Sequence, residues 1–587
     1  MADATELEQA TGRTIADLAT AAGERFGDRT AVRFKRGDGW QETSYADVAT
    51  FVKELAGGLA ELGFQAGDRA CILADTRPEW VYASFAVSSA GGIVVPIYPT
   101  NSPKECQWVA GNSEAKVAFV ENADQAAKIE KVRGELPELE HVVIFDGSAD
   151  GAISLDELRE RGRTSDHADE LAKRRDGVSE DDPYTIIYTS GTTGNPKGVV
   201  LTHANAGSVS AVTHQLDFVT ADDSQYLYLP LAHVFALICV LGAWDIGAPI
   251  IFFSGNTKLI VPELAETQPT YFPSVPRIFE KIYTLVTSNI DSDTLKKAVE
   301  VGMKVRKGEA EPDETFNQFE EKLYKNVRAA FGGNIRQAVT GAAPIAPDIL
   351  EFFYACGVTV LEGWGLTETT GIGCVNTPDA FKVGTVGKPA PGIEVKIGDE
   401  GELLMKGPNV FKEYWRNEEA TREAFTGDGW FRTGDVGEID DEGFVKITGR
   451  MKDIIITAGG KNLTPANIEN ELKQSRWISQ AVMHGDRRPF PVALITLDEE
   501  EIIPWAKEQG LPTDVAELAE NDKIRELVQD CLDGVNANHA KVAQIKKFKI
   551  LDHDLSQETG ELTPTLKVKR NVVNDKYAEL FDSMYTG

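Results

Sequence analysis

The chain has 587 residues, too many for one hydrophobic core, and a prior of about 150 residues per domain suggests roughly three to four structural units. With 42% hydrophobic and 26% charged residues, its composition excludes a disordered or fibrous protein. Sixty Lys and Arg against 92 Asp and Glu give a net charge of −32, which argues against nucleic acid or another polyanion as a partner.

The cysteines and the N-terminal residues indicate the cellular compartment in which we expect the protein. Six cysteines are scattered without a CxxC pair or nearby histidines at zinc-ligand spacing, so we expect reduced thiols. The opening MADATELEQATGRT is polar and acidic and lacks the basic and apolar parts of a signal peptide. We therefore expect a cytoplasmic protein, and the sequence leaves open a peripheral position at the inner membrane face.

The first third of the chain alternates between strand and helix. Ser44 and Asp47 form a capping-box signature at the start of a helix that Gly63 closes. Units this short imply parallel pairing in an open α/β sheet, where ligands lie at the carboxyl ends of strands. The remaining predicted elements here are strands at 31–34, 71–74, 93–98, 116–120 and 185–189 and helices over 78–91 and from 103.

An apolar run at 234–253 is long enough to raise the question of a membrane span. Asp245, Gly247 and Pro249 interrupt it. A carboxylate near the middle of a spanning helix is rare, and the Gly-Ala-Pro step precedes β-branched and aromatic residues. The run therefore predicts a buried helix, a turn and a strand.

The second half of the chain changes character along its length. Residues 287–330 are highly charged and predict a solvated pair of surface helices, and 380–450 has the short strands and glycine turns of a β-rich subdomain. The last part, about 135 residues, is large enough to be a separate domain. Its predicted helices lie near 466–473, 515–535 and 569–581.

The segment YTSGTTGNPKG at 188–198 combines glycines, hydroxyl side chains and one lysine. Such residues bind phosphate through backbone amides, hydroxyl donors and a positive charge. Pro196 breaks the GxxxxGK[ST] pattern, because it stands where that pattern needs glycine, and the kinase spacing GxGxxG is also missing. A phosphate loop is therefore predicted, and a kinase or P-loop ATPase is disfavoured.

Several motifs in the same order resemble the adenylate-forming superfamily, which includes acyl-CoA synthetases, the adenylation domains of peptide synthetases and the beetle luciferases. A single motif would be weak evidence of a relationship, whereas this series of motifs spans most of the chain. The motifs are YTSGTTGNPKGVVLTH, LPLAHVFA (229–236), VTGAAP (339–344), EGWGLTETT (362–370), GTVGKPAPG (384–392), WFRTGDVGEID (430–440), GRMKDIIITAGGKN (449–462) and GELTPTLKVKR (560–570).

The resemblance implies an α/β fold in two parts. A large N-terminal domain, 1–450, would contain open α/β sheets and a small β-rich subdomain at about 380–450. A small α+β domain, 451–587, would be mobile and would rotate about a hinge near Lys452 between two half-reactions.

The resemblance also implies the chemistry. A carboxylate attacks the α-phosphate of ATP to give an acyl adenylate and pyrophosphate, and coenzyme A then displaces AMP. The phosphate loop would hold the departing phosphates, and Glu368, with Thr367 beside it and Thr192 as a second contact, would bind Mg²⁺. The implied loop residues are Thr189, Ser190, Gly191, Thr192, Thr193, Gly194 and Lys197.

For the nucleoside, the resemblance implies two groups of residues. Trp364 stands where the superfamily has tyrosine and would stack on adenine between Gly363 and Gly365. Asp435 would accept hydrogen bonds from the ribose hydroxyls, with Arg450 near the ribose and phosphate. The small residues implied beside adenine are Gly341, Ala342 and Ala343.

The catalytic lysine implied by the resemblance is Lys567, which would reach the acyl carboxylate and the α-phosphate. The superfamily has glycine just before this lysine, and here Leu566 takes that place, so Lys569 is a rival candidate. For the second half-reaction the implied channel residues are His233, Gly459, Gly460 and Lys461.

The motifs most resemble bacterial long-chain fatty-acid CoA ligases, with ATP, Mg²⁺ and coenzyme A as cofactor and co-substrates. The apolar segment at 234–244 offers volume for an acyl chain, although Asp245 follows it. A fatty acyl-AMP ligase, a CoA ligase for another acid and a non-catalytic lipid-binding or transport protein remain alternatives. Transient membrane contact and an oligomeric state of monomer or homodimer are left open.

Overall fold

The computed structural model describes residues 14–37, 39–189, 195–288, 290–458, 462–563 and 567–586. The chain divides into two compact units. Unit 1 consists of the residues up to Ala343, then Leu350–Val395 and Met405–Phe431. Unit 2 consists of Pro344–Ile349, Lys396–Leu404 and the residues from Arg432 onward. The domain boundary at 450–451 stays a prediction.

Unit 1 is built on two large sheets, of which the first carries the predicted phosphate loop. Its central strands pair in parallel, as the alternation of short strands and helices predicts. In spatial order its strands are Glu413–Tyr414, Lys197–Thr202, Pro183–Thr189, Ile93–Ile97, Arg69–Leu73, Ala115–Val120, His141–Ile144 and Ala152–Ser154.

The second sheet of unit 1 is parallel at its centre and antiparallel at its edges. In spatial order its strands are Lys388–Pro389, Cys374–Val375, Val360–Trp364, Gln337–Thr340, Tyr271–Ser274, Gln225–Leu227, Ile250–Phe252, Thr30–Arg36 and Gly39–Ser44. The neighbouring strands Gln337–Thr340 and Val360–Trp364 end at the predicted adenine residues, so the sheet brings two separate motifs to one edge.

Helices cover the sheets and confirm the predicted alternation. The predicted helix start is confirmed, because the Ser44 hydroxyl accepts the N–H of Asp47 at 3.1 Å and the helix Tyr45–Glu61 follows. Of the predicted capping box only this half is formed, since the Asp47 carboxylate accepts from the Ser44 hydroxyl at 2.7 Å. Up to residue 431 the other α-helices are Ile15–Phe26, Pro78–Ser89, Pro103–Ser113, Ala123–Val132, Leu155–Arg163, Ala168–Asp176, His203–Gln215, Val234–Ile246, Ile260–Thr267, Pro276–Thr287, Ser292–Arg306, Glu314–Phe319, Lys325–Ala330, Pro347–Ala355 and Glu418–Glu423.

The strand before the phosphate loop differs from the expected all-parallel pattern. Pro183–Thr189 pairs antiparallel with Lys197–Thr202, and Thr189 lies opposite Lys197. The motif is therefore a hairpin connection between two strands, whereas a P-loop joins a strand to a helix. This geometry agrees with the failed GxxxxGK[ST] pattern.

The apolar run at 234–253 forms the predicted buried helix and strand. Trp244 is fully buried, and its ring lies 5.1 Å from those of Tyr45 and Phe85. Asp245 accepts a hydrogen bond from the hydroxyl of Ser210 at 2.7 Å, which accounts for a carboxylate in so apolar a segment. Within the described ranges, no helix is long and apolar enough to cross a membrane.

Unit 2 has its own hydrophobic core. A sheet of Ile478–His484, Val492–Leu497 and Lys547–Ile550 packs against flanking helices. Unit 2 also contains much of a further sheet, whose strands are Glu394–Ile397, Glu402–Lys406, Phe431–Ile439 and Val445–Arg450. A short antiparallel pair in unit 2 consists of Ile455–Ile456 and Asn462–Leu463. The helices are Pro465–Leu472, Glu499–Glu508, Val515–Ala519, Asp522–Ala537, Arg570–Lys576 and Ala578–Ser583.

The six cysteines are free thiols, as the scattered spacing predicts. Five are buried, and Cys531 is half-buried. Burial raises the pKa of the thiol at each position, so these side chains act as small core residues.

Candidate active site

The predicted phosphate loop is described only at its two ends. Thr189 ends one strand and Lys197 begins the next, and both are half-buried. Ser190, Gly191, Thr192, Thr193 and Gly194 lie outside the described residues. The two strands nevertheless place Lys197 at the foot of the loop.

In unit 1 the structure brings Lys197 close to Glu368 through a third residue, Tyr414. The ammonium of Lys197 lies 5.1 Å from the centre of the Tyr414 ring, and the Tyr414 hydroxyl donates to Oε1 of Glu368 at 2.7 Å. Cation–π attraction and a charge-assisted hydrogen bond both favour this arrangement. The phosphate-loop lysine and the predicted metal ligand are thus neighbours.

The turn that carries Thr367 and Glu368 is a 3₁₀ helix, Thr367–Thr369, held from both sides. The hydroxyl of Thr369 accepts the N–H of Leu366 at 2.8 Å. Asn409 donates to the carbonyl of Thr369 at 3.1 Å. These buried polar contacts fix the backbone of the turn, so Glu368 projects from a rigid support.

The predicted adenine residues lie at the ends of two adjacent strands. A Cβ on Gly341 would stand 3.3 Å from the carbonyl of Gly363, and one on Gly365 would stand 2.5 Å from the backbone of Gly371. The latter approach requires glycine. Ala342 has a φ of 68°, Ala343 is exposed, and Trp364 is buried with 9% of its surface exposed.

His233 lies at the start of the apolar helix, Val234–Ile246. Its Nδ1 accepts the N–H of Phe235 at 3.2 Å, which caps the helix. The His233 side chain is half-buried, and the hydrogen bond to Nδ1 holds its ring at the start of the helix. Its predicted place in a coenzyme A channel stays a prediction.

In unit 2, the buried Asp435 and the exposed Arg450 form an ion pair between adjacent strands. They stand opposite each other in the antiparallel register, and Nε of Arg450 donates to Oδ1 of Asp435 at 2.7 Å. The backbone N–H of Asp435 donates to the Thr433 hydroxyl at 3.1 Å, and that hydroxyl donates to the carbonyl of Leu403 at 2.6 Å. The carboxylate is therefore held at a fixed place, with only 5% of the residue exposed.

Lys567 is near this ion pair. The residue is exposed, and desolvation together with the positive charge of Arg450 lowers the pKa of its ammonium to about 8, against the opposing effect of Asp435. Lys569 instead occupies the residue before the helix Arg570–Lys576, and its N–H donates to the carbonyl of Glu561 at 2.7 Å. The structure thus brings Lys567 to Asp435 and Arg450.

Glu561 anchors the segment that carries Lys567, and the sequence reasoning missed it. Its side chain is 0% exposed. It accepts from the hydroxyl of Tyr577 at 2.9 Å, pairs with the ammonium of Lys576, and bonds the Thr559 hydroxyl. These bonds outweigh desolvation and lower the pKa of Glu561 to about 2. A charged residue inside the otherwise apolar and threonine-rich stretch ELTPTL is the signal that could have indicated a buried pair.

Replacing Glu561 by glutamine is expected to lower the free energy of unfolding at pH 7 by about 2 kcal/mol, because the buried partners lose a charged acceptor. The ordinary pKa of 4.5 falls to about 2 on folding, so the carboxylate stabilises the fold above pH 4.5. That stabilisation is lost as the pH falls toward 2. Urea unfolding of E561Q and wild type from pH 7 to 3 measures this stabilisation, and Glu558→Gln at an exposed position is the matched control. An equal loss of stability in E561Q and E558Q would show that Glu561 does not anchor the segment.

The remaining predicted residues lie around the start of the last domain. Lys452 is exposed, in the 3₁₀ turn Met451–Asp453 directly after the strand that ends at Arg450. Gly459, Gly460 and Lys461 lie outside the described residues. The hinge and channel assignments stay predictions.

Glu368 is the carboxylate predicted to hold Mg²⁺ in unit 1. Over the part of the chain that the structure describes, no three His, Cys, Asp or Glu side chains converge as a metal cage. A single carboxylate fits Mg²⁺, which is commonly held by one or two protein carboxylates and the phosphates of a substrate.

Comparison with known proteins covers both parts of the chain. Residues 19–415 match the model of the family described as AMP-binding enzyme, and 452–587 match the AMP-binding enzyme C-terminal domain. Among solved structures, the anthranilate CoA ligase AuaEII in complex with anthranoyl-AMP aligns with a TM-score of 0.75 at 21% identity, covering 97% of this chain and 98% of that one. At that identity the structural match supports the α/β fold alone.

Relatives of known name are similar over most of their length. The long-chain-fatty-acid–CoA ligase FadD15 of Mycobacterium tuberculosis (strain ATCC 25618 / H37Rv) is 39% identical over 560 residues, 93% of this chain and 92% of that protein. The long-chain-fatty-acid–CoA ligase ACSBG2 of Gallus gallus is 33% identical over 98% of this chain and 81% of its own. With its two-part α/β fold, the chain therefore belongs to the family of AMP-binding, adenylate-forming enzymes.

Proposed function

We propose that this enzyme is an AMP-forming long-chain fatty-acid CoA ligase. The observation that carries the proposal is that Lys567 lies close enough to the fixed Asp435–Arg450 pair of unit 2 for both charges to act on its pKa. This arrangement places a positive charge next to a carboxylate suited to ribose hydroxyls. The relatives named for long-chain fatty acids supply the substrate class.

In the first half-reaction, a carboxylate oxygen of the fatty acid forms a bond to the α-phosphorus of ATP, and the bond from that phosphorus to pyrophosphate breaks. Negative charge grows on the α-phosphate and on the leaving group. We assign Lys567 to the α-phosphate and acyl carboxylate, and Lys197 to the leaving phosphates with Thr189 and the loop residues 190–194. Fixed cations stabilise that charge without reorganisation.

Mg²⁺ supplies further charge neutralisation when it is bound with ATP. We assign Glu368 as its protein ligand, with Thr192 as a second contact and Thr367 beside it. The rigid turn at Thr367–Thr369 supports this assignment, because a small cation needs well-placed oxygen ligands.

For the nucleoside, we assign adenine to the face of Trp364 and to the small residues Gly341, Ala342, Ala343, Gly363 and Gly365. Asp435 would accept from the ribose hydroxyls while Arg450 holds it in place. Glycine is required at 365 for the backbone to pack against Gly371, since a larger side chain would clash there.

In the second half-reaction, the thiol of coenzyme A attacks the acyl carbon, the acyl–AMP bond breaks, and AMP leaves. We propose an N-terminal domain at 1–450 and a mobile domain at 451–587 that turns about Lys452, so that 459–461 line the pantetheine channel with His233. The C-terminal family match begins at residue 452, which supports this boundary.

The acyl chain would lie against the apolar helix Val234–Ile246. Each buried methylene contributes about 0.8 kcal/mol, so a long chain supplies its own binding energy. Asp245 is bonded to Ser210 on the neighbouring helix, which gives it a structural part and supports an uncharged acyl group as the substrate.

The test is incubation with ATP, Mg²⁺ and fatty acids of graded chain length, with and without coenzyme A. We expect AMP and acyl-CoA, with pyrophosphate formed in equal amount and rates that rise with chain length. Acyl adenylate that accumulates whether or not coenzyme A is present would indicate a fatty acyl-AMP ligase. ADP, or no nucleotide turnover, would overturn the proposal.

The rate of acyl-adenylate formation is expected to fall as the pH rises through about 8. Lys567 is useful only while protonated, and its lowered pKa of about 8 means that the ammonium is lost above that pH. Pyrophosphate release measured from pH 6 to 9.5 at saturating ATP gives the midpoint. A rate that is flat across pH 7–9.5 would contradict the assignment of Lys567.

We further propose a cytoplasmic enzyme, monomeric or homodimeric, that meets fatty acid at the inner membrane face only transiently. The net charge of −32 supports transient contact, because anionic lipid headgroups repel an acidic surface. Sedimentation with vesicles that contain 30% or no anionic phospholipid tests this, and stable binding to the anionic vesicles would contradict it.

A further inference from the structure

Tyr414 joins two groups of unit 1 that the proposed reaction needs. Its hydroxyl donates to Oε1 of Glu368 at 2.7 Å, and the ammonium of Lys197 lies 5.1 Å from the centre of its ring. One aromatic side chain thus contacts the predicted metal ligand through its polar tip and the phosphate-loop lysine through its face.

The backbone around Tyr414 is tied to the same two places. Tyr414 lies opposite Val199 in the antiparallel pairing with the strand that begins at Lys197, and the N–H of Trp415 donates to the carbonyl of Gly198 at 2.7 Å. The N–H of Phe411 donates to the carbonyl of Glu368 at 2.8 Å. Residues 411–415 therefore hold the lysine strand and the glutamate turn together.

The surroundings of Tyr414 keep its ring in one orientation. The ring packs edge-on against the buried Phe411 at 4.8 Å, and the backbone N–H of Tyr414 donates to the Thr421 hydroxyl at 3.0 Å. A phenol is protonated at neutral pH, so the hydroxyl donates to the Glu368 carboxylate.

We propose that Tyr414 is a positioning residue that orients the Glu368 carboxylate for the Mg²⁺ accompanying ATP and steadies Lys197 for the phosphates. Donation to Oε1 fixes the rotation of the carboxylate and directs Oε2 toward a cation. The inference rests on the proposed function and adds a residue to it. Tyr414 itself touches the two ligating groups and need not touch the nucleotide.

Two substitutions separate the two contacts. Tyr414→Phe removes the hydroxyl and keeps the ring, so it tests the link to Glu368. Tyr414→Leu removes the ring as well and so also tests the link to Lys197. Tyr354→Phe is the matched control, because its hydroxyl also donates within unit 1, to the carbonyl of Arg306 at 3.4 Å, away from these groups.

The measurement is calorimetric binding of ATP without fatty acid, with and without Mg²⁺, so that no turnover takes place. For Y414F we expect the gain in ATP affinity given by Mg²⁺ to fall by about tenfold or more, the size of a lost hydrogen bond to a charged group, with Mg²⁺-free binding unchanged. Y414L should also lose Mg²⁺-free affinity. Y354F should match wild type.

Wild-type Mg²⁺ dependence in Y414F would overturn the inference, and so would an equal loss of affinity with and without Mg²⁺. Thermal unfolding of each variant shows whether the fold is kept. Because Y414F retains the ring packing, Y414F remains a valid test even if Y414L unfolds. Wild-type protein that does not bind ATP would overturn the proposed function as well, so the two failures are distinguishable.

Discussion

Replacing Lys567 by alanine is expected to lower the rate of acyl-adenylate formation by about 10²- to 10³-fold, the loss typical of removing one fixed charge-stabilising group. In the proposed reaction negative charge grows on the α-phosphate, and Lys567 lies close enough to Asp435 and Arg450 for both charges to act on its pKa. Release of pyrophosphate in the absence of coenzyme A measures this step alone.

The control for this variant is the second half-reaction. Transfer of a supplied acyl adenylate to coenzyme A should stay near the wild-type rate in K567A, because Lys567 is assigned to the first transition state. Lys569→Ala is the matched variant in the same basic segment and should adenylate normally. Equal loss of both half-reactions in K567A, or a larger loss in K569A, would contradict the assignment.

The local periodicity of the sequence was enough to predict much of unit 1. Ser44 and Asp47 locate a helix start, and the apolar runs at 71–74, 93–98 and 116–120 form parallel strands as expected. Capping and periodicity are properties of neighbouring residues, so a single sequence contains them. The apolar run with Asp245 was also assigned correctly, because a carboxylate near its middle is incompatible with lipid.

The pairing of strands could not be predicted in the same way. The antiparallel partner of the strand Pro183–Thr189 depends on a hairpin register, and the short strand Glu413–Tyr414 joins that sheet from more than 200 residues away. Tyr414 in FKEYW reads as an ordinary aromatic residue of a charged surface segment. Its contact with Glu368 exists only once both sheets of unit 1 are formed.

Some charged residues of the candidate site could be predicted from the sequence, and one could not. Lys567, Asp435 and Glu368 stand in motifs whose resemblance assigns them, and the structure places the first two together in unit 2. Glu561 was missed because burial of a carboxylate depends on its partners, here Lys576 at the end of the following helix and Tyr577 directly after it. A sequence shows the charge and leaves the partner unknown.

Replacing Asp435 by asparagine is expected to raise the KM for ATP by about ten- to a hundredfold and to move the pH midpoint of adenylation below 8. The first effect follows from weaker hydrogen bonds to the ribose hydroxyls, since a neutral amide replaces a charged acceptor. The second follows from electrostatics. Asp435 raises the pKa of Lys567, so its neutralisation leaves the ammonium less favoured. Initial rates against ATP concentration between pH 6 and 9.5 measure both.

Arg450→Gln provides the opposing control. Arg450 lowers the pKa of Lys567, so its removal should move the same midpoint above 8. General damage to the strand pair Phe431–Ile439 and Val445–Arg450 would weaken both variants without opposite shifts in pH. Midpoints that move in the same direction, or do not move, would show that Lys567 does not sense this ion pair. Opposite shifts would identify Lys567 as the titrating group, because Asp435 and Arg450 act on its pKa in opposite directions.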